Sequence, residues 1–251
     1  MIDAIRINRR VFVLTFAILA LELALIRWTS GQVRTFAYFG NLVLIVVFLG
    51  LGIGTALGRN GKRRLSWAFP CITFLAAILA FAPQLGITHM HFPDPSVAIW
   101  GGTIREYTLW ETVRNLAVFV SLIALVTTIF VCIGTELGWL FSKAGEKSID
   151  AYAADLAGSL AGVLCFAALT LANATPPIWL LLGMAPLVVL RPGPVNLGLG
   201  LATVVLGFAS IQGALYSPYN RIDVSEHESG FATYVKVNRD FHQIIWDFDD
   251  A

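Results

Sequence analysis

The side chains best able to do chemistry in this sequence are ionisable groups set inside apolar runs. Glu22 stands among Leu21, Leu23, Ala24 and Leu25, with Arg27 following on the same run. Glu136 lies toward the end of a later run, and Asp155 comes one helical turn after Tyr152. In hydrocarbon each such group costs about 2.5–3.5 kcal/mol unless it is paired or faces water. Two chemistries are open to them. They can form interhelical ion pairs and hydrogen bonds that fix a bundle, or they can line a polar cavity for a cation. Two or three carboxylates in such a cavity would suit an amine or proton movement. Arg27, near a helix end, can also carry its head to the interface on its long stem.

A second set of residues is suited to packing. Gly50, Gly54 and Gly58 share one helical face at four-residue spacing, and Gly158 and Gly162 repeat the pattern around Ser159. Such faces let helix backbones approach closely where lipid removes the hydrophobic drive between helices. No strand precedes the Gly50 to Gly54 stretch, so it is not a dinucleotide-binding turn. Cys71, Cys132 and Cys165 lie within apolar runs and read as small packing residues. His89 and His91 stand near Asp94, but a third ligand cannot be named, so no metal site is expected. The sequence contains no Gly-x-Ser-x-Gly elbow, His-Glu-x-x-His helix, Walker loop or Cys-x-x-Cys pair. A complete catalytic site is not expected in this chain, nor a cofactor.

The elements that must position these residues follow from composition. Of 251 residues 57% are apolar and 13% charged, against about 25% charged in a soluble domain. The apolar runs are too long for barrel strands, so they must close their own hydrogen bonds as helices in a bilayer. The fold class expected is an all-α polytopic membrane bundle of six or seven transmembrane helices with a small C-terminal β-hairpin or three-strand tail. A formal charge of +1 excludes a nucleic-acid partner, which would need a dense basic face.

Candidate spans fall at 11–28, 38–57, 65–87, 113–141, 149–171, 177–190 and 195–216. The 177–190 run is short and carries Pro186, so it either crosses or re-enters. Arg6, Arg9 and Arg10 precede the first span, which has no cleavage site and is read as retained. With Arg59, Lys62, Arg63, Arg64, Lys143 and Lys147 they mark the cytoplasmic side, placing the N-terminus inside a bacterial inner membrane. The opposite loop over 88–110 is rich in Pro, Gly and Trp and reads as an interfacial excursion. Seven crossings would put the tail outside; six with a re-entrant segment would put it in the cytoplasm.

After Tyr216 the texture changes. Ser217 and Pro218 break the helix, 221–225 and 233–238 alternate polar and apolar, Glu228 to Gly230 offers a turn, and a third strand is expected near 242–246. The chain therefore divides into a helical domain, 1–216, and a β-rich tail, 217–251. Three short strands cannot bury a core alone, so the tail must pack on the bundle or on a partner.

The string Ser217 to Val224, followed by Val237 to Gln243, resembles the opening strands of spermidine-synthase-like aminopropyltransferases. The membrane part is similar to the helical domain fused ahead of such synthases, in Leu21 to Arg27, Gly50 to Gly54 and Tyr152 to Ser159. The resemblance implies a Rossmann-like domain downstream that holds decarboxylated S-adenosylmethionine and supplies the catalytic acidic residues. No glycine-rich strand-to-helix turn of that kind stands in a soluble segment here. The resemblance also implies a substrate wall: Gln243 matches one of the family's glutamines, Asn220 replaces the other, and Tyr219 stands beside it. Together these point first to a membrane accessory or scaffold subunit that docks a partner protein through its tail and its small-residue faces. The alternatives are the membrane part of a split aminopropyltransferase and a small amine or proton transporter or sensor.

Overall fold

The computed structural model describes residues 2–90, 108–226 and 232–246. The expected turn at Glu228 to Gly230, and His91 and Asp94 of the long loop, lie outside the described residues. Eight helices come first: α1 (Ile2–Gln32), α2 (Arg34–Tyr38), α3 (Gly40–Arg59), α4 (Leu65–Ala80), α5 (Leu109–Ala144), α6 (Ser148–Leu171), α7 (Pro176–Leu190) and α8 (Pro194–Ala209). Four strands follow, β1 (Leu215–Tyr216), β2 (Arg221–Glu226), β3 (Ala232–Val237) and β4 (Asp240–Trp246), paired antiparallel in chain order.

Among the described residues, four helices are long and apolar enough to cross a membrane: α1, α3, α5 and α6. That is fewer than the six or seven spans expected. Helices α4, α7 and α8 are apolar but only 16, 15 and 16 residues long, at the lower edge of what a bilayer core needs. The expected third span stops early because the chain turns after Ala80, and the expected last span stops at Ala209. Residues 215–216, read as helix end, form β1 instead, so the tail is a four-stranded sheet. Helix α5 begins earlier than expected because Thr108 caps it: its hydroxyl accepts from the Glu111 N–H at 3.2 Å, and Glu111 accepts from the Thr108 N–H at 3.1 Å.

The long helices and the three short ones all run between the same two ends of the molecule. At one end, here the basal end, Arg10 of α1, Arg63 before α4, Glu136 of α5 and Arg191 after α7 meet. At the other, Trp28 of α1 donates to the Ser210 hydroxyl just past α8 at 3.0 Å, and Trp179 near the start of α7 packs on Tyr216 of β1. There too Arg34 donates its backbone N–H to the carbonyl of Thr88, beyond α4, at 2.9 Å. Helix α7 therefore crosses the bundle whole. Pro176 and Pro177 open it where missing N–H groups cost nothing, and Pro186 sits within it without ending it.

Close backbone approach sets the pairing. A Cβ on Gly54 would strike Val131 O and lie 2.9 Å from Gly134 Cα, and one on Gly58 would strike Thr135 O. Gly138 answers from α5 against Thr55. Gly50 completes the face, its Cβ position 2.6 Å from Thr127 O. Gly158 and Gly162 of α6 lie in the same way against Phe12 and Phe16 of α1. Threonines add polar pins where backbones are close: Thr73 of α4 and Thr203 of α8 meet hydroxyl to hydroxyl at 2.9 Å.

The α3–α5 face is open to test because Gly52, on the same helix, faces open space. G54L should destabilise the bundle by about 1–3 kcal/mol or more, whereas G52L should leave it near wild type. Thermal unfolding in mild detergent reads both, and equal melting of the two variants would remove the close-packing role.

Candidate functional site

The basal end is built around one carboxylate. Glu136 is completely buried, yet three guanidinium groups reach it. Arg63 binds it bidentately, Nη2 to Oε1 at 2.6 Å and Nε to Oε2 at 3.0 Å. Arg10 Nη2 donates to Oε1 at 2.8 Å, and Arg191 Nη2 donates to Oε2 at 3.1 Å. The arginine side chains stay 27–30% exposed, so a dry carboxylate is met by cations that keep part of their hydration. Trp139, one turn past Glu136, lies under the Arg63 guanidinium at 3.8 Å and orients it. Next to Glu136, the Thr135 hydroxyl accepts from the Arg64 N–H at 2.8 Å and so fixes the α3–α4 turn.

The other expected polar residues do not join this cluster. Glu22 is buried at 3% exposure, in register with Thr15 and Thr29 at seven-residue spacing along α1, and it makes no ion pair among the described residues. Asp155 is half-buried on α6, where its backbone carbonyl accepts from the Thr15 hydroxyl at 3.1 Å. Tyr152 points outward, 56% exposed. Glu22, Glu136 and Asp155 thus share no cation partner among the described residues. No group of three His, Cys, Asp or Glu side chains is placed to hold a metal ion there either. Cys132 is buried and Cys165 exposed, and all three cysteines are free thiols.

The far end carries a second polar assembly, and it holds the sheet. Arg221 is 2% exposed. It donates to the carbonyl oxygens of Ser210 at 2.7 Å and Ile211 at 3.3 Å, and pairs with Asp223 at 2.7 Å. Arg239 donates to Gln32 Oε1 at 2.9 Å and to Gln212 at 3.2 Å, while Arg34 pairs with Asp240 at 3.0 Å and Tyr38 donates to the same carboxylate at 2.9 Å. Asn238 and Arg239 form the β3–β4 turn with φ of 51° and 66°. Both positive angles suit the tight hairpin turn. Left-handed backbone at Arg239 costs about 1–2 kcal/mol, and its bonds to Gln32 and Gln212 hold it there.

Arg27 belongs to this end. Its guanidinium lies 4.3 Å over the Trp179 ring and donates to the Ser217 carbonyl. Trp179 in turn meets Tyr216 edge-on at 5.4 Å and Phe166 at 5.9 Å. Burial pushes the Tyr216 phenol above its ordinary range, partly offset by Arg221, so it is a neutral ring wedge between sheet and bundle. Arg27 therefore clamps the sheet to the helices.

Of the expected substrate wall, Tyr219 is 82% exposed and Asn220 is spent on the turn: its side-chain oxygen accepts from Asn238 at 2.9 Å, and its carbonyl accepts from the Ser217 N–H at 3.0 Å. Gln243 lies on β4 opposite Val235. No family model, no curated protein and no solved structure matches this chain.

Sequence reasoning found Glu136 and Arg27 but not their partners. Arg10 and Arg63 were legible only as markers of orientation, and Arg191 went unread although it closes an apolar run before a proline. Arg221, Asp223 and Arg239 stood within the strings that carry the family resemblance, but no anchoring role was read for them.

Removing the shared carboxylate leaves three cations facing one another, so E136A should cost about 3–5 kcal/mol. E136Q, which keeps an acceptor, should cost less. Glu22 has no such pair to lose, and E22Q should melt with the wild type. Melting of each variant in neutral detergent checks both expectations; an unchanged E136A would mean the cluster does not hold the bundle.

Proposed function

We propose that this chain is a multi-pass docking module of the bacterial cytoplasmic membrane that holds a soluble partner domain against the bilayer through its C-terminal sheet. The observation that carries this reading is a sheet anchored at one end and uncovered on one face. Strand register puts Ile222, Val224, Val235, Val237 and Ile245 on the same side. Val224 and Ile245 there are 55% and 53% exposed, although a small sheet needs a covering layer to be stable. Strand β4 also has no strand on its outer side among the described residues, and an open edge of this length invites pairing.

Orientation follows from charge. Arg6, Arg9, Arg10, Arg59, Lys62, Arg63, Arg64, Lys143, Lys147 and Arg191 cluster in or beside the basal segments, which favours a cytoplasmic basal end. Counting α4, α7 and α8 as crossings gives seven, and the sheet then faces the outside. The resemblance to membrane domains fused ahead of aminopropyltransferases supports an α/β domain as the partner class, with any polyamine bound by that partner. The amine or proton transporter reading gains no support, since its three carboxylates stand apart.

Impermeant maleimide labelling of Y219C and K62C, each in a cysteine-free background, tests the orientation. Y219C should react in intact cells and K62C only after permeabilisation. The reverse pattern would place the sheet and its partner domain in the cytoplasm. Amide exchange tests the docking: β2 and β4 should be more protected in native membranes than in the purified chain, and V224D/I245D should abolish the difference. Equal exchange in both settings would leave the sheet without a partner.

A further inference from the structure

Beside the Glu136 cluster the start of α1 and the end of α5 enclose an open cleft of about 460 Å³, lined by Arg6, Ile7, Arg10, Trp139, Leu140 and Lys143. Its chemistry is unbalanced. Glu136 supplies one negative charge to the three arginines that bind it, so the cluster keeps an excess of two positive charges. Arg6 and Lys143 then add exposed cations at the rim with no ion pair among the described side chains. Of the Arg10 donors only Nη2 is engaged by Glu136, and a guanidinium has five. The remaining donors belong to a head whose position is already fixed by the carboxylate and by Trp139, 6.0 Å from it.

The floor of the cleft is different. Ile7 and the Trp139 ring, backed by the buried Leu140, give it an apolar wall, and the cleft sits where the basic segments meet the spans. We infer that this cleft is a binding site for a phosphate-bearing anion, filled at this depth by the headgroup of an anionic phospholipid whose first acyl carbons lie on Ile7 and the edge of Trp139. A phosphodiester fits both halves of the site. Its non-bridging oxygens take the free donors of Arg10, Arg6 and Lys143, as basic pockets between membrane helices do for acidic lipids, and its chain takes the apolar wall. A zwitterionic headgroup would bring its own cation against the rim and gain less. The inference stands apart from the docking reading, because it concerns the opposite end of the molecule.

The test uses the full chain in neutral detergent, with native mass spectrometry and thermal shift against short-chain phosphatidylglycerol, phosphatidylcholine and inorganic phosphate. Phosphatidylglycerol should bind and raise the melting temperature, with phosphatidylcholine at least five-fold weaker. R6Q/K143Q, which leaves every bond to Glu136 in place, should weaken phosphatidylglycerol at least five-fold. R59Q/K62Q, with the same charge loss at the same end but outside the cleft, should not. If inorganic phosphate protects the protein and displaces the lipid at comparable concentration, the phosphate site stands and its natural source is a free anion. Wild-type affinity in R6Q/K143Q, or an equal loss in R59Q/K62Q, overturns the proposal, since either outcome reduces binding to diffuse surface charge.

Discussion

A carboxylate carried into an apolar bundle has to be compensated where it stands, and the position of Glu136 obliges separate parts of the chain to meet. The insertion cost of such a group is about 2.5–3.5 kcal/mol, while a hydrogen bond to a charged group returns roughly 1.5–3 kcal/mol. Four such bonds from three arginines exceed the cost even after discounting for the partial exposure of the donors. Because the donors come from α1, the α3–α4 turn and the residue after α7, one side chain on α5 sets the depth of four segments at once. The glycine faces then decide how near those segments lie, and the cluster decides how far each extends along the bundle axis.

That division of labour explains how helices of unequal length share two ends. Helix α5, at 36 residues, is about 54 Å long and α7, at 15 residues, about 22 Å. Dispersion between apolar faces cannot fix their mutual height, since a slide of one turn presents similar residues to similar neighbours. Specific contacts at both ends can: the Arg191 hydrogen bond to Glu136 below, and the cation–π and edge-on ring contacts of Trp179 with Arg27 and Tyr216 above. The short helix is held between two polar assemblies and continues through Pro186.

The class of the protein was legible in the sequence because hydrocarbon leaves few choices to an apolar run. The small-residue faces were legible for the same reason: only close approach makes a four-residue glycine repeat useful. The polar partners were not. Arg10, Arg63 and Arg191 are each ordinary in their local context, a basic residue next to a membrane segment, and only the packing of α5 shows that they converge. Helix ends were misread where the interface mixes signals: 210–216 continues apolar past α8, but Ser210 is consumed by Trp28 and Arg221, so the chain leaves the helix and pairs as β1. The lesson is that composition reads burial well and reads direction poorly.

The two polar assemblies also differ in kind, and the difference bears on what each end can do. At the far end the cations are dispersed over separate partners: Arg221 meets Asp223, Arg34 meets Asp240, Arg239 is taken up by glutamine oxygens, and Arg27 by the Trp179 ring and the Ser217 carbonyl. Such an assembly positions a sheet and leaves apolar residues of one face, Val224 and Ile245 among them, exposed. At the basal end three cations converge on one anion, and the unspent attraction is electrostatic. A surface that needs apolar cover selects a folded protein, whereas a pocket that needs negative charge beside an apolar wall selects an amphiphile. The same long helix, α1, joins both, with Arg10 in the basal cluster and Arg27, Trp28 and Gln32 at the strand anchor.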